Sequence, residues 1–219
     1  MPPFPRVVHG ALASAAAALL VVVLGWSSPA AADHVLPPAI PSTSAAQTQL
    51  DSLTVQAKGP QTGYDRSLFP HWNNIDPPCS ARQVVLGRDG HDVVTDSGCQ
   101  PTSGSWWSAF DDTWVHDDPS QISVDHMVAL SEAWKTGAAS WTTGRRADFA
   151  NDVQSSQLWL ATPSSNSSKG DSDPSEWMPP NTGVHCDYVK SWVNVKYRYD
   201  LTVTSTEKSA IQNTIDTRC

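Results

Sequence analysis

The sequence predicts an α+β fold: one small, disulfide-bonded domain with short strands in its middle and helices flanking them. Three observations carry that prediction. Ile122 to Asp125 alternates apolar and polar residues, as a short strand burying one face does. Tyr188, Trp192, Val195 and Tyr199 recur at helical spacing and draw one apolar stripe. Four cysteines in a chain that opens on an export signal imply oxidation, and an even count leaves none unpaired.

Residues 1–32 hold Arg6, an apolar stretch from Ala11 to Trp26 and a small-residue tail, the order of a secretory signal peptide. The apolar stretch is shorter than the ~20 residues a membrane anchor needs. Cleavage is expected near Ala32, giving a secreted protein with no membrane attachment in the mature form. Removing Arg6 from the 14 Lys+Arg leaves 13 against 22 Asp+Glu, so the mature charge is 13 − 22 = −9. Such a chain has no broad electrostatic steering toward nucleic acid, which counts against a nuclease that binds tightly by phosphate neutralisation, although a catalytic metal and a few local cations can offset phosphate charge at a site.

Residues 33–63 are rich in Pro, Ala, Ser, Thr and Gln, with Leu50, Leu53 and Val55 as the one apolar cluster. They read as a flexible linker or pro-segment with a short helix around Ala45 to Leu53. The following roughly 155 residues, 64–219, are the length of one domain with a usable core. Ser80 to Gly90 reads as a short helix ended by glycine, and Val93 to Thr95 and Gly104 to Phe110 as strands. Asp111, Asp112, Asp117 and Asp118 lack EF-hand spacing and read as solvated turns. A helix is expected from Glu132 to near Gly137, and a surface helix over Thr142 to Asp152 with Arg145, Arg146 and Phe149. Cys186 to Tyr199 and Glu207 to Ile215 complete the helices, the second with a capping box from Thr204 and Glu207.

Four cysteines allow three connectivities. Cys79–Cys99 with Cys186–Cys219 is preferred, because each pair then flanks one coherent segment. A zinc site is the rival reading, but CxxC and CxxH spacings are missing.

The chemistry concentrates in two stretches. In ISVDHMVALSEAW, Asp125 and His126 stand side by side at the end of the expected strand. A carboxylate can hold a hard cation there while a neutral imidazole takes a proton from water. A buried histidine capped by its neighbour is the plainer alternative. In QLWLATPSSNSSKGDSDPSEW, the apolar run Leu158 to Ala161 ends in a turn before Asn166, Lys169, Asp171 and Asp173.

Together these stretches, with YDRSLFPHW before them and WMPP after, resemble the HNH endonuclease superfamily. Within it the pattern is most similar to small secreted bacterial HNH nucleases, whose domain is shared with GmrSD-type restriction endonucleases. The resemblance spans about Tyr64 to Cys219. It implies a ββα-metal core of two strands and a helix around one divalent cation. It further implies that His126 is the general base, that Asp125 and Asn166 are the metal ligands, and that Lys169 adds a cation beside the phosphate. Asn166 stands where many relatives have a histidine. Gln157 falls at the middle asparagine of the HNH name, with Asn151 as the other candidate for that brace. Asp171 is read as a helix or turn brace and Glu132 as a surface carboxylate, with support of the metal ligands from behind as the alternative for each.

An open set of oxygen ligands suits Mg²⁺ or Mn²⁺ better than zinc. Arg145 and Arg146, the densest basic spot, are candidate contacts to the DNA backbone, although two charges on a polar helix face are often simply solvated. The expected activity is metal-dependent, sequence-non-specific cleavage of DNA, with RNA as a second substrate, by a monomer. The alternative from another class is a non-catalytic, Trp-rich module binding cell wall or polysaccharide, since the chain holds ten tryptophans.

Overall fold

The computed structural model describes residues 1–3 and 33–219; the body of the expected signal peptide lies outside the described residues. Along the chain, α1 (Thr43–Ser52) precedes a two-stranded ladder, β1 (Asn74–Asp76) with β2 (Cys79–Ser80), and then α2 (Ala81–Asp89). β3 (Gly90–Thr95), β4 (Pro101–Ser108) and β5 (Thr113–His116) make an antiparallel sheet in that order. β6 (Ser123–His126), α3 (Leu130–Lys135) and α4 (Thr143–Ala150) lead to β7 (Leu158–Ala161), which pairs antiparallel with β6. α5 (Pro163–Lys169), α6 (His185–Arg198) and α7 (Ser205–Arg218) follow. The architecture is α+β, and the disulfides are Cys79–Cys99 and Cys186–Cys219.

The β6–β7 ladder is the pivot. Its register sets Asp125 opposite Trp159 and His126 opposite Leu158. Side chains alternate across a strand, so each face of the ladder meets a different core. Val124, Leu158 and Leu160 join Val85, Leu86 and Trp106 in a small cluster under α2 and β4. Trp159 and Ala161 join Phe110, Tyr188 and Trp192 in the larger cluster built on α6. The strand was expected to bury one face only. Both are covered, because α2 with β4 and α6 lie on opposite sides.

Local sequence explains the flanking elements. α2 starts in a reciprocal capping box between Ser80 and Gln83. It ends at Gly90, where a Cβ would lie 2.5 Å from Trp106 Nε1 and 2.7 Å from Leu86 O, so the glycine serves close approach as well as helix termination. α5 is capped by the Thr162 hydroxyl, with Pro163 in its first turn. Asp111 accepts hydrogen bonds from Ser108, Thr162 and Ser165, so it fixes the start of α5 instead of lying in a solvated turn.

The segment expected as a flexible linker packs on the domain. Ala46 and Leu50 are fully buried and α1 lies against α6 and α7. Gln56 N donates to Val203 O at 2.8 Å, Gly59 N donates to Lys135 O at 2.7 Å, and Lys58 forms ion pairs. Leu53 is buried as well, and Leu36 and Ile40 pack against the same core. No helix among the described residues is long and apolar enough to cross a membrane.

Candidate active site

β6, β7 and α5 form a strand–strand–helix unit, and a cleft of about 420 Å³ opens beside it. Asp125, His126 and Asn166 all line this cleft, although Asn166 lies forty residues along the chain. Gln61, Tyr64, Arg66, Ser131 and Asp171 line it too. The strand end presents the acid–imidazole pair, and the middle of α5 presents the amide.

His126 is 4% exposed, and its Nε2 lies 2.9 Å from the carbonyl oxygen of Ala150. A carbonyl only accepts, so Nε2 carries the hydrogen and Nδ1 keeps a lone pair. Ala150 is the last residue of α4, where carbonyls have no partner within the helix. Burial pushes the imidazole down to about 3; the Ala150 bond opposes this, and the neighbouring Arg66 and Lys169 charges add to it. The ring is therefore neutral at physiological pH. Trp72 packs on it with ring centroids 5.2 Å apart. Trp72 sits at φ +58°, a conformation bulky residues rarely adopt, and Asn151 ties down the adjoining chain by bonding Pro70 O and Asn73 N.

Gln157 is fully buried and braces the chain just past His126 from two sides. Its Nε2 donates to Val128 O at 3.0 Å and its Oε1 accepts from Val128 N at 3.1 Å. Its backbone carbonyl also accepts from Met127 N at 2.7 Å. The longer amide clamps the loop at both groups of one peptide residue.

Asp125 is 6% exposed, and its Oδ2 lies 2.8 Å from Lys169 Nζ in an ion pair lacking hydrogen-bond angles. Burial raises this carboxyl, and Lys169 opposes the rise. Lys169 was expected in the open beside a phosphate. It is instead wholly buried, its ammonium shared between Asp125 and the carbonyl of His126 at 3.0 Å, because the α5 C-terminus folds it back under the ladder. It holds Asp125 and the His126 carbonyl and does not line the cleft.

The two arginines expected at DNA are elsewhere. Arg146 is buried, its guanidinium donating to the carbonyls of Leu68, Ala138 and Trp141. Arg145 donates to Tyr199 O, pairs with Asp200 at 2.8 Å and lies over Trp141. Neither lines the cleft. α4 contributes to the site through its last carbonyl and not through its charges.

Glu132, expected at the surface, is fully buried. With Asp173 and Glu207 it brings three carboxylates together. Lysines occupy that space: Lys58 reaches Glu132 at 3.0 Å and Asp173 at 2.8 Å, and Lys196 reaches Glu207 at 2.7 Å. The cluster is an ion-pair network tying residues 33–63 to the domain. Asp171 braces as expected, accepting from Ser131 Oγ and Lys135 Nζ, each at 3.0 Å.

The donors that could hold a metal are thus Asp125 and Asn166. Both line the cleft, and the Asn166 amide has no hydrogen-bond partner among the described residues. A buried carboxylate met by one lysine and an idle amide oxygen suit a hard divalent cation. Sequence reasoning missed Arg66, Tyr64 and Trp72 as parts of the site. All three fall in or beside YDRSLFPHW, a stretch noted only as a flank.

The family model for the C-terminal domain of GmrSD restriction endonucleases matches residues 102–214, from β4 to α7. The chain is 50% identical over 182 residues to an uncharacterized secreted protein of Arthroderma benhamiae, covering 83% of this chain and 88% of that one. No solved structure matches.

Proposed function

From the premise that this chain belongs to the family of GmrSD restriction endonuclease C-terminal domains, we propose that it is an exported HNH-type endonuclease. It hydrolyses DNA phosphodiesters with a divalent cation and without strong sequence preference. The observation that supports this reading most is one cleft holding Asp125, His126 and Asn166, with His126 Nε2 capped and the Nδ1 lone pair free.

In the proposed reaction, Nδ1 of neutral His126 takes a proton from water as the water oxygen attacks phosphorus. The bond from phosphorus to the 3′ oxygen breaks, the departing oxygen is protonated from solvent, and the imidazolium returns its proton to solvent. Gln157 and the Ala150 carbonyl hold the ring so that Nδ1 keeps one direction. Lys169 favours the ionised form of Asp125 against a burial that raises its carboxyl. Asp125 and Asn166 would hold the ion, Mg²⁺ or Mn²⁺, whose charge would polarise the phosphate and stabilise the leaving oxygen. Among the described residues no reading helix or zinc finger accompanies the site, which favours non-specific cutting. Export follows from the leader sequence and from the description of the Arthroderma benhamiae relative as secreted.

A sugar-binding module would display tryptophan faces to solvent. The tryptophans among the described residues are all buried or half-buried, which counts against that reading. The test is nicking of supercoiled plasmid, and cleavage of RNA, across a panel of divalent ions with an EDTA control. Ion-dependent nicking supports the proposal. Capture on insoluble glycan without any cleavage supports the rival.

A further inference from the structure

Resting on the phosphodiesterase reading above, we propose that Arg66 is the group that grips a substrate phosphate at this cleft, and that His71 aims it. The charges around the cleft lead there. The protein carries a formal net charge of −8, so attraction for a polyanion must be local. Asp125 is offset by Lys169 and Asp171 by Lys135, which removes both lysines as free cations. Arg145 and Arg146 are committed elsewhere. Among the described residues lining the cleft, Arg66 is the sole lysine or arginine.

Its own bonding leaves the right atoms free. Arg66 Nε donates to His71 Nε2 at 3.3 Å, while His71 Nδ1 donates to the Phe69 carbonyl at 2.8 Å. That chain fixes the tautomer of His71 and the direction of the guanidinium. Nη1 and Nη2 have no partner among the described residues, and Arg66 is exposed. An arginine held at Nε and open at both Nη atoms presents the fork that binds two phosphate oxygens at once. The arm carrying it is itself anchored: Asp65 caps its helical turn by accepting from Ser67 N, and buried Arg146 holds Leu68 O. Residues 64–72 lie before the stretch matched by the family model, so this chain brings its grip from a separate segment.

Equilibrium binding of a duplex oligonucleotide, in a His126→Ala background that prevents cutting, tests this over a range of salt. Arg66→Ala should weaken binding about 10- to 100-fold. It should also reduce the slope of log K against log salt by about 0.9, the value for one phosphate contact. Arg66→Lys should restore the slope but only part of the affinity, since an ammonium lacks the fork. His71→Ala should weaken binding with the slope kept, because the charge remains while its aim is lost. Melting temperatures report folding alongside. If Arg66→Ala leaves affinity and slope unchanged while the unmodified chain nicks DNA, the grip is refuted and the nuclease reading stands. A loss of affinity with no change of slope assigns Arg66 a scaffold role and also overturns the proposal. If the unmodified chain cuts neither DNA nor RNA with Mg²⁺ or Mn²⁺, the nuclease reading falls and the grip with it.

Discussion

Replacing Lys169 with methionine keeps the volume of the side chain and removes its charge from a place water does not reach. Lys169 is fully buried and its partner Asp125 is 6% exposed, with 2.8 Å between Nζ and Oδ2. Breaking one side of a buried pair leaves the other charge uncompensated and costs about 3–5 kcal/mol. For a chain of this size that lowers the melting temperature by roughly 6 to 20 °C. Urea unfolding followed by tryptophan fluorescence measures the loss. A double-mutant cycle isolates its cause: Lys169→Met with Asp125→Asn should be much less destabilised than the two single changes summed, with coupling of about 2 kcal/mol or more. Divalent cation at a hundred times its Kd should return about 2.7 kcal/mol to Lys169→Met, and little to variants without the Asp125 carboxylate. Coupling below about 0.5 kcal/mol would refute the reasoning, for it would mean that the ammonium and the Asp125 carboxyl do not stabilise one another.

Two further outcomes are expected. Asn166→Ala should raise the Mg²⁺ or Mn²⁺ concentration for half-maximal nicking while leaving the rate at saturating ion much less affected; an unchanged ion dependence removes Asn166 from the ligand set. The acid limb of stability should depend on Asp173, whose carboxyl is raised by burial but lowered further by the Lys58 ammonium and by Ser175, for a net downward shift. A depressed folded value means that this stabilisation is full above the unfolded value of about 3.9 and is lost as pH falls below it. Asp173→Asn should therefore be less stable at pH 6 and lose less between pH 5 and pH 3; parallel stability curves for the two proteins would contradict this.

Much of the fold was legible because it is locally encoded. The stripe Tyr188, Trp192, Val195 and Tyr199 names the buried face of α6, and Thr204 with Glu207 marks the start of α7. The place of Asp125 and His126 at a strand end was legible in the alternation of Ile122 to Asp125, whereas Asn166, in the middle of α5, was singled out only through the resemblance to HNH endonucleases. What stayed hidden depends on long-range partners. Nothing near Lys169 shows that α5 will bury its ammonium under β6, and nothing near Arg146 shows three carbonyls converging on it. Glu132 is polar by type yet buried, because Lys58 and Lys196 arrive from segments far along the chain. The low apolar content of residues 33–63 suggested a tether, but Ala46, Leu50 and Leu53 are buried, and the ion pairs of Lys58 with distant carboxylates complete the docking.

The most direct test of the account is the initial rate at which the unmodified chain and His126→Ala nick supercoiled plasmid at saturating Mn²⁺. Removing a general base costs roughly 10²- to 10⁴-fold, so the variant should be slower by that factor at an unchanged ion requirement. Equal rates for the two proteins would contradict the claim that Nδ1 of His126 prepares the attacking water.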